Sequence, residues 1–521
     1  MKKLLINAIA PSLWIGFIIC LSALLHAEKF SGSFKTGTVH TLLLSLFLFG
    51  LFGYLIKNRI ARGIVGSIFA IHLFMQLAYD SSLSVSALMS VLNSSPAESA
   101  SFIQSNFSIF VISILLTIAI TLLRLPEKKY LYGLSLLVGS TYILAPLLRA
   151  DTSGFDEHHR QVSNAMDFNE SYEKFDYYLE RASGRLPPLK SIQGGIQAVV
   201  FMSHNEETRS SWTNVTSTDS PELLVIGIGE SLRAENLGIY GYKRQTTPQL
   251  RSLQNQLTIY QNAYSAGTNT WTSVPASLTK VNGRADLSKS IINLAKDAGY
   301  EVLWLSNQAQ YSVWDFSVTS IANQADYTFF SADDSDEIFY DSIIIDELQN
   351  VLKTPTPNKK RLIILNFYGS HPIFSDRYPE RYAHFNGANQ LLDEYDNSIL
   401  YTDALQSKLI SLISHHGGKY LFYADHGLGS PDGDVPLMHD VRATPDIDSL
   451  KVPLFTYPKE DLGFSNTDLI SLYYFECIFS AWSGINATEL DQGYCADKLK
   501  PKKISYIDSN LLLNEVSAPI K

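Results

Sequence analysis

Tyr420-Leu421-Phe422-Tyr423-Ala424-Asp425-His426-Gly427 decides the reading of this chain. A run of apolar residues suited to a buried strand leads straight into two metal-competent side chains and a glycine. Strands of a parallel sheet, covered on both faces, read as nearly continuous apolar runs, and ligands gather beyond their carboxyl ends. The same pattern recurs at Leu223 to Ile228, Glu301 to Leu305, Leu362 to Phe367 and Val452 to Tyr457. Helical spacing lies between them, over Leu287 to Ala298 and Asn389 to Ile413, with apolar residues three and four apart. The expectation is an α/β domain over residues 221–521 with a mainly parallel central sheet and helices on both faces.

Polar residues fall where such a sheet opens. Glu230 follows the first run, His371 the third, and Asp425 with His426 the fourth. Singly, each has an ordinary explanation: Glu230 as a turn cap, His371 as a loop histidine, Asp-His-Gly as chance. Their placement after successive strands points instead to one shared site. Carboxylates and imidazole without a ligating thiol suit a divalent cation with oxygen and nitrogen ligands, zinc first and manganese second. A nucleophile is offered by Ala266-Gly-Thr268-Asn-Thr270-Trp-Thr272-Ser273-Val-Pro275, whose bland reading is a helix start.

Upstream the chain changes character. Five uncharged apolar stretches run from Leu4 to about Leu25, Thr38 to Ile56, Gly63 to Tyr79, Phe107 to Leu123 and Tyr130 to Leu148. Each approaches the roughly 17 to 25 residues a helix needs to cross a bilayer. The first, preceded by Lys2 and Lys3, also fits a signal peptide, but four further spans favour a retained anchor. Lys2, Lys3, Lys57, Arg59, Arg62, Arg124, Lys128 and Lys129 share one side if the spans alternate, against Lys29 and Lys35 on the other. The N-terminus is then cytoplasmic and the α/β domain outside. Between spans three and four, residues 81–106 read as an amphipathic loop, either lying on the membrane or capping the bundle. Residues 151–220 read as a linker with bridging helices.

With a net charge of −10 and no basic cluster in the polar part, nucleic acid is excluded as a partner. Of three cysteines, Cys477 and Cys495 fall in the exported part, where a disulfide is expected. Two buried thiols are the alternative.

These residues together resemble the inner-membrane phosphoethanolamine transferases that modify lipopolysaccharide, within the alkaline phosphatase and sulfatase superfamily. The resemblance rests on Gly229-Glu230-Ser231-Leu-Arg233, Gly241-Tyr242, Thr247-Pro248, Gly267-Thr268-Asn-Thr270, Ser273-Val-Pro275, Gly369-Ser370-His371-Pro372, Arg377-Tyr378-Pro379, Tyr395-Asp396-Asn397, Tyr401-Thr402-Asp403 and Asp425-His426-Gly427. It implies zinc held by Glu230, Thr270, Asp425 and His426, with Thr270 as nucleophile. It implies contact of His371 and His439 with the phosphoethanolamine group or a second metal, and substrate contact by Asn93, Glu98 and Asn307. Phosphatidylethanolamine would be the donor, lipid A, lipopolysaccharide core or periplasmic glucan the acceptor, and the protein a monomer among membrane lipids.

The chain also departs from that family. Ala266 and Ala276 stand where the lipid A enzymes have a disulfide, Leu428-Gly429-Ser430-Pro431 follows Asp-His-Gly, and the lysine often found after the next strand is missing from Ser306-Asn307-Gln308-Ala309-Gln310. Three rivals remain: a sulfatase, though Ser273-Val-Pro275-Ala-Ser277 lacks the signature arginine, a phosphoglycerol transferase, and an inactive sensor or scaffold.

Overall fold

The computed structural model describes residues 2–25, 34–79, 83, 103–104, 106–123, 129–146, 170–202, 209–218, 221–282, 284–308, 316–331, 340–353, 359–429, 440, 445–508 and 512–517. They divide into two compact units, helical up to residue 200 and mixed from residue 201 on. The loop at residues 81–106 lies almost wholly outside the described residues.

The helical unit contains α1 (Lys2–Leu25), α2 (Phe34–Tyr54), α3 (Arg59–Tyr79), α4 (Phe107–Leu122), α5 (Lys129–Leu144), α6 (Glu170–Ser183) and most of α7 (Pro188–Met202). Two of them, over Lys35–Tyr54 and Arg59–Ala78, are long and apolar enough to cross a membrane by length and composition. α4 and α5, at 16 residues each, rise about 24 Å, short of a hydrocarbon core of about 30 Å. α2 and α5 approach closely because small residues meet at the crossing. A Cβ on Gly139 would stand 2.4 Å from the Phe47 Cα, and one on Gly50 2.4 Å from the Leu136 nitrogen. Ala182 and Leu186, from the stretch read as a linker, are buried in the same apolar cluster as Leu44, Leu48 and Ile120.

The second unit is built on a seven-stranded sheet. Its strands are β1 (Leu223–Gly229), β2 (Thr258–Tyr260), β3 (Tyr300–Ser306), β4 (Tyr327–Phe330), β5 (Lys360–Asn366), β6 (Lys419–Ala424) and β7 (Leu454–Tyr457). Across the sheet the order is β2-β7-β6-β1-β5-β3-β4. The five from β6 to β4 run parallel, and β7 is antiparallel to both its neighbours. The domain is thus α/β with a mostly parallel sheet, as the apolar runs predict. β1 is buried at every position and β6 at all but its first, which is why neither alternates.

The structure corrects one element and adds two. Residues 287–290, expected to open a helix, belong to the strand Arg284–Ser290, which pairs antiparallel with Thr279–Asn282; the helix begins only after it, as α9 (Ile291–Asp297). The side chain of Ser290 caps it by accepting from the Asn293 amide at 3.0 Å. β2 and β4 have no counterpart in the sequence reading, because they are short, half-exposed edge strands. α8 (Thr270–Leu278), α10 (Ser342–Lys353) and α11 (Gln390–His415) supply the other helices that bear on the site. Cys477 and Cys495 are bridged, with Cα atoms 5.4 Å apart.

Candidate metal centre

Strand register creates the site. Gly229 of β1 pairs with Ala424 of β6 in a parallel ladder, so the next residues, Glu230 and Asp425, leave adjacent strand ends side by side. The Asp425 amide donates to the Gly229 carbonyl at 2.8 Å and prolongs the ladder by one bond. β1 then breaks at Ser231, which is fully buried at φ 56°. A left-handed serine costs on the order of 1 to 3 kcal/mol and persists only where its surroundings dictate it. They do so through Tyr395 on α11, whose hydroxyl donates to the Ser231 carbonyl and accepts from the Arg233 amide, both at 2.9 Å.

The loop after β5 presses on the same turn. Gly369 has φ 51°, and a Cβ there would stand 2.7 Å from the Glu230 carbonyl oxygen. The Ser370 amide donates to that oxygen at 3.0 Å. Only glycine satisfies both the backbone angle and the contact.

Glu230, Asp425 and His426, with 2, 1 and 0 % of their surface exposed, each offer one ligand atom within 4.8 Å of the others. The Nδ1 of His426 lies 2.7 Å from the Gly427 carbonyl. A carbonyl can only accept, so Nδ1 carries hydrogen and Nε2 is the atom turned to the carboxylates. Nε2 sits 3.3 Å from Glu230 Oε1 and 3.5 Å from Asp425 Oδ2. Asp425 Oδ1 accepts from the Ser231 and His426 amides, whereas buried Oδ2 has no hydrogen bond within normal distance among the described residues. A buried carboxylate oxygen with no donor, facing an imidazole nitrogen and a second carboxylate, fits a divalent cation.

The electrostatics agree. Burial, and then the charge of Glu230, pushes the Asp425 carboxyl far above its usual range. Burial lowers His426, but the charges of Asp425 and Glu230 outweigh it and raise the imidazole. Both shifts have one meaning: the Asp425 carboxyl and the His426 imidazole hold their protons more tightly when no other positive charge is supplied.

The structure distinguishes the four hydroxyls that the sequence leaves equivalent. Thr268 donates to the Asp440 carbonyl, Thr272 to Asn269 and Ser273 to the Asp425 carbonyl. Thr270 alone among them donates to a carboxylate, with Oγ1 2.9 Å from Glu230 Oε2 and 3.4 Å from His426 Nε2. It is the first residue of α8, capped by Asn269, whose side chain accepts from the Thr272 amide at 3.1 Å. Ala266 and Ala276 lie in one apolar cluster with Val281, Tyr473 and Ile507.

The remaining candidates separate. His371 stacks on Tyr368, ring centroids 5.2 Å apart, with Nδ1 2.9 Å from the Pro372 carbonyl. Asn307 is buried, its amide donating to Asp341 Oδ1 at 2.8 Å and accepting from the Ser331 hydroxyl. Asn93, Glu98 and His439 lie outside the described residues. Sequence reasoning missed Gln308, which donates to Glu230 Oε2 at 3.2 Å and to the Phe367 carbonyl at 2.9 Å. Its signal was position: it is two residues beyond the end of β3, where a lysine was sought. Asp341 was missed as well, because an acid before a helix reads as a cap.

Residues 222–468 match the sulfatase family model. YhbX of Escherichia coli K12 is 31% identical over 278 residues, covering 51% of this chain and 50% of YhbX. Phosphoethanolamine transferase EptC of Escherichia coli K12 is 30% identical over 234 residues, 40% of each chain. The chain thus spans about half the length, or less, of these two relatives. Among solved structures, the integral membrane lipooligosaccharide phosphoethanolamine transferase A from Neisseria meningitidis superposes with a TM-score of 0.70 at 17% identity, covering 94% of this chain and 99% of that one. The periplasmic domain of Escherichia coli EptC, solved in complex with zinc, gives 0.53 at 23% identity, covering 59% of this chain and 96% of that one.

Proposed function

We propose that this chain, whose residues 222–468 form a domain of the alkaline phosphatase and sulfatase superfamily, is a membrane-anchored phosphoethanolamine transferase. It takes the head group of phosphatidylethanolamine and passes it to an envelope glycan: lipid A, lipopolysaccharide core or periplasmic glucan. The observation that carries this reading is the Thr270 hydroxyl, donated to Glu230 at the first turn of α8, beside a buried carboxylate–imidazole trio. In this reading Glu230, Asp425, His426 and Thr270 hold zinc, as the zinc complex of the EptC domain suggests. A bound zinc would supply Lewis acidity, stabilising negative charge on oxygen.

The protein's residues do the rest. Glu230 aims Thr270 Oγ1 and accepts its hydrogen bond. The threonine hydroxyl passes its proton to Glu230 Oε2, and its oxygen forms a bond to phosphorus as the bond from phosphorus to the diacylglycerol oxygen breaks, leaving phosphoethanolamine on Thr270. That leaving oxygen takes a proton from His371 or His439. A glycan hydroxyl or phosphate oxygen then bonds to phosphorus as the bond to Thr270 breaks, a hydroxyl's proton passing to the imidazole and the Glu230 proton returning to the threonine oxygen, in the second half of a ping-pong cycle. α1 to α5 cross the inner membrane, the short α4 and α5 by local thinning of the bilayer, with the N-terminus cytoplasmic and the sulfatase-family domain in the periplasm. The exposure of Leu42, Ile64, Leu115 and Leu134 supports a lipid-facing surface. The protein acts as a monomer.

The test offers the purified protein vesicles of phosphatidylethanolamine or of phosphatidylglycerol and follows diacylglycerol release. Release from the first alone is expected. Release from the second alone would make it a phosphoglycerol transferase.

A further inference from the structure

Outside the trio, one group of side chains converges on a single short loop without a role in the chemistry above. Asp341, 4% exposed at the entry to α10, accepts from the Tyr368 amide at 2.8 Å through Oδ1 and from the Gly369 amide at 2.9 Å through Oδ2. Its Oδ1 also takes the Asn307 amide, whose oxygen is held by Ser331. Further along, the buried Arg377 guanidinium carbon lies 4.0 Å from the centre of the Tyr368 ring, and its Nε donates to the Ile373 carbonyl at 3.2 Å. Cation–π contacts of this kind strengthen when desolvated. The Tyr368 ring in turn stacks on His371, centroids 5.2 Å apart and planes 25° apart. The His371 amide donates to the Tyr368 carbonyl.

The loop from Tyr368 to His371 is thus fixed at three places. Asp341 grips its first two amides, Gly369 and Ser370 rest against the Glu230 backbone, and Arg377 with Tyr368 sets the plane of the His371 ring. Such anchorage costs a buried carboxylate and a buried guanidinium, both expensive to desolvate. A loop that only connected strand to helix would need neither. An imidazole that must meet one leaving oxygen does need a fixed plane, because proton transfer works over hydrogen-bond distances.

We propose that Asp341, Arg377 and Tyr368 are positioning residues that hold the His371 imidazole in register with the Glu230 turn, and that Asn307 serves Asp341 in this device instead of contacting substrate. The proposal rests on the reading of His371 as the proton donor to the leaving oxygen.

The experiment is a double-mutant cycle on the full-length, zinc-loaded protein with phosphatidylethanolamine vesicles, reading kcat, KM, metal content and Tm. His371→Ala and Tyr368→Leu should each lower kcat by about 10²-fold, the scale of one general acid, with KM and metal content nearly unchanged. Tyr368→Phe, which keeps the ring, should restore most of the rate. Combining Tyr368→Leu with His371→Ala should cost no more than His371→Ala alone, because the ring is useless without the imidazole it orients. Losses that multiply in the double variant would overturn the positioning role while leaving His371 as the acid. A fully active His371→Ala would instead remove the acid role and the proposal with it. If Tyr368→Leu sheds its metal or fails to fold, Arg377→Met replaces it in the same cycle and must give the same non-additive pattern.

Discussion

Two buried acidic clusters sit in one domain and differ in a single respect. Around α11, Asp393 and Asp396 share the Arg244 guanidinium at 2.7 and 2.8 Å, and Asn236 and Tyr242 donate to Asp396 as well. Around the ends of β1 and β6, Glu230 and Asp425 share the His426 imidazole, the one such partner among their described ion pairs. The first cluster carries its own permanent cation, and its meaning ends with the fold. The second has two carboxylates whose ligand atoms lie within 4.8 Å of each other and of His426, and no arginine or lysine among its described ion pairs. Burial of acidic residues does not by itself mark a functional site; the convergence of two carboxylates and an imidazole on one point does.

The comparison can be broken by substitution, most severely at the trio. Asp425→Ala or His426→Ala should reduce bound zinc to a small fraction of one equivalent and cut transfer by roughly 10³-fold or more, the scale at which members of one catalytic unit act. Elemental analysis and rate measurement on the same preparation check it. Arg244→Ala should leave zinc content intact and lower stability by about 2 kcal/mol, below the cost of breaking a fully buried pair because Arg244 is 27% exposed. Denaturant unfolding measures the loss, and loss of metal in this variant would merge the two clusters into one system.

Gln308→Ala sharpens the comparison. An outer partner that orients a ligating carboxylate is worth about 10-fold or more in metal affinity, so competition with a zinc chelator should show weaker binding at unchanged Tm of the metal-free protein. The smallest effect is expected in that metal-free protein. With folded values near 8 for Asp425 and 9 for His426, both groups hold protons more tightly folded than unfolded. Their contribution to stability is therefore greatest at low pH and falls as pH rises towards 9, and the zinc-loaded protein should lack this slope. Asp425→Asn should flatten it and stabilise the metal-free fold at pH 8.

The cores of β1, β3, β5, β6 and β7 are legible in the sequence because buried strands carry unbroken apolar runs. β2 and β4 are not, since edge strands of three or four residues, most of them partly exposed, carry too little pattern. Residues 287–290 mislead because Leu287 is in helical register with Ile291 and Leu294 but belongs to a hairpin arm. Glu230, Asp425 and His426 could be read from their positions after strands. The choice of Thr270 over Thr268, Thr272 and Ser273 could not be made from spacing, because it depends on where α8 begins and which acceptor each hydroxyl meets. Ser231 at positive φ, Gln308 on Glu230 and Asp341 under the Tyr368 loop depend on tertiary contacts across dozens of residues, and no local pattern records them.

The most direct measurement of the central claim follows the phosphoethanolamine group itself. Zinc-loaded protein is incubated with phosphatidylethanolamine and no acceptor, digested and mapped by mass spectrometry. The account predicts one added phosphoethanolamine on the peptide from Ala266 to Lys280, localised to Thr270, and absent from folded, metal-retaining Thr270→Ala. An adduct on Ser273, Thr268 or Thr272, or full turnover by Thr270→Ala, would contradict it.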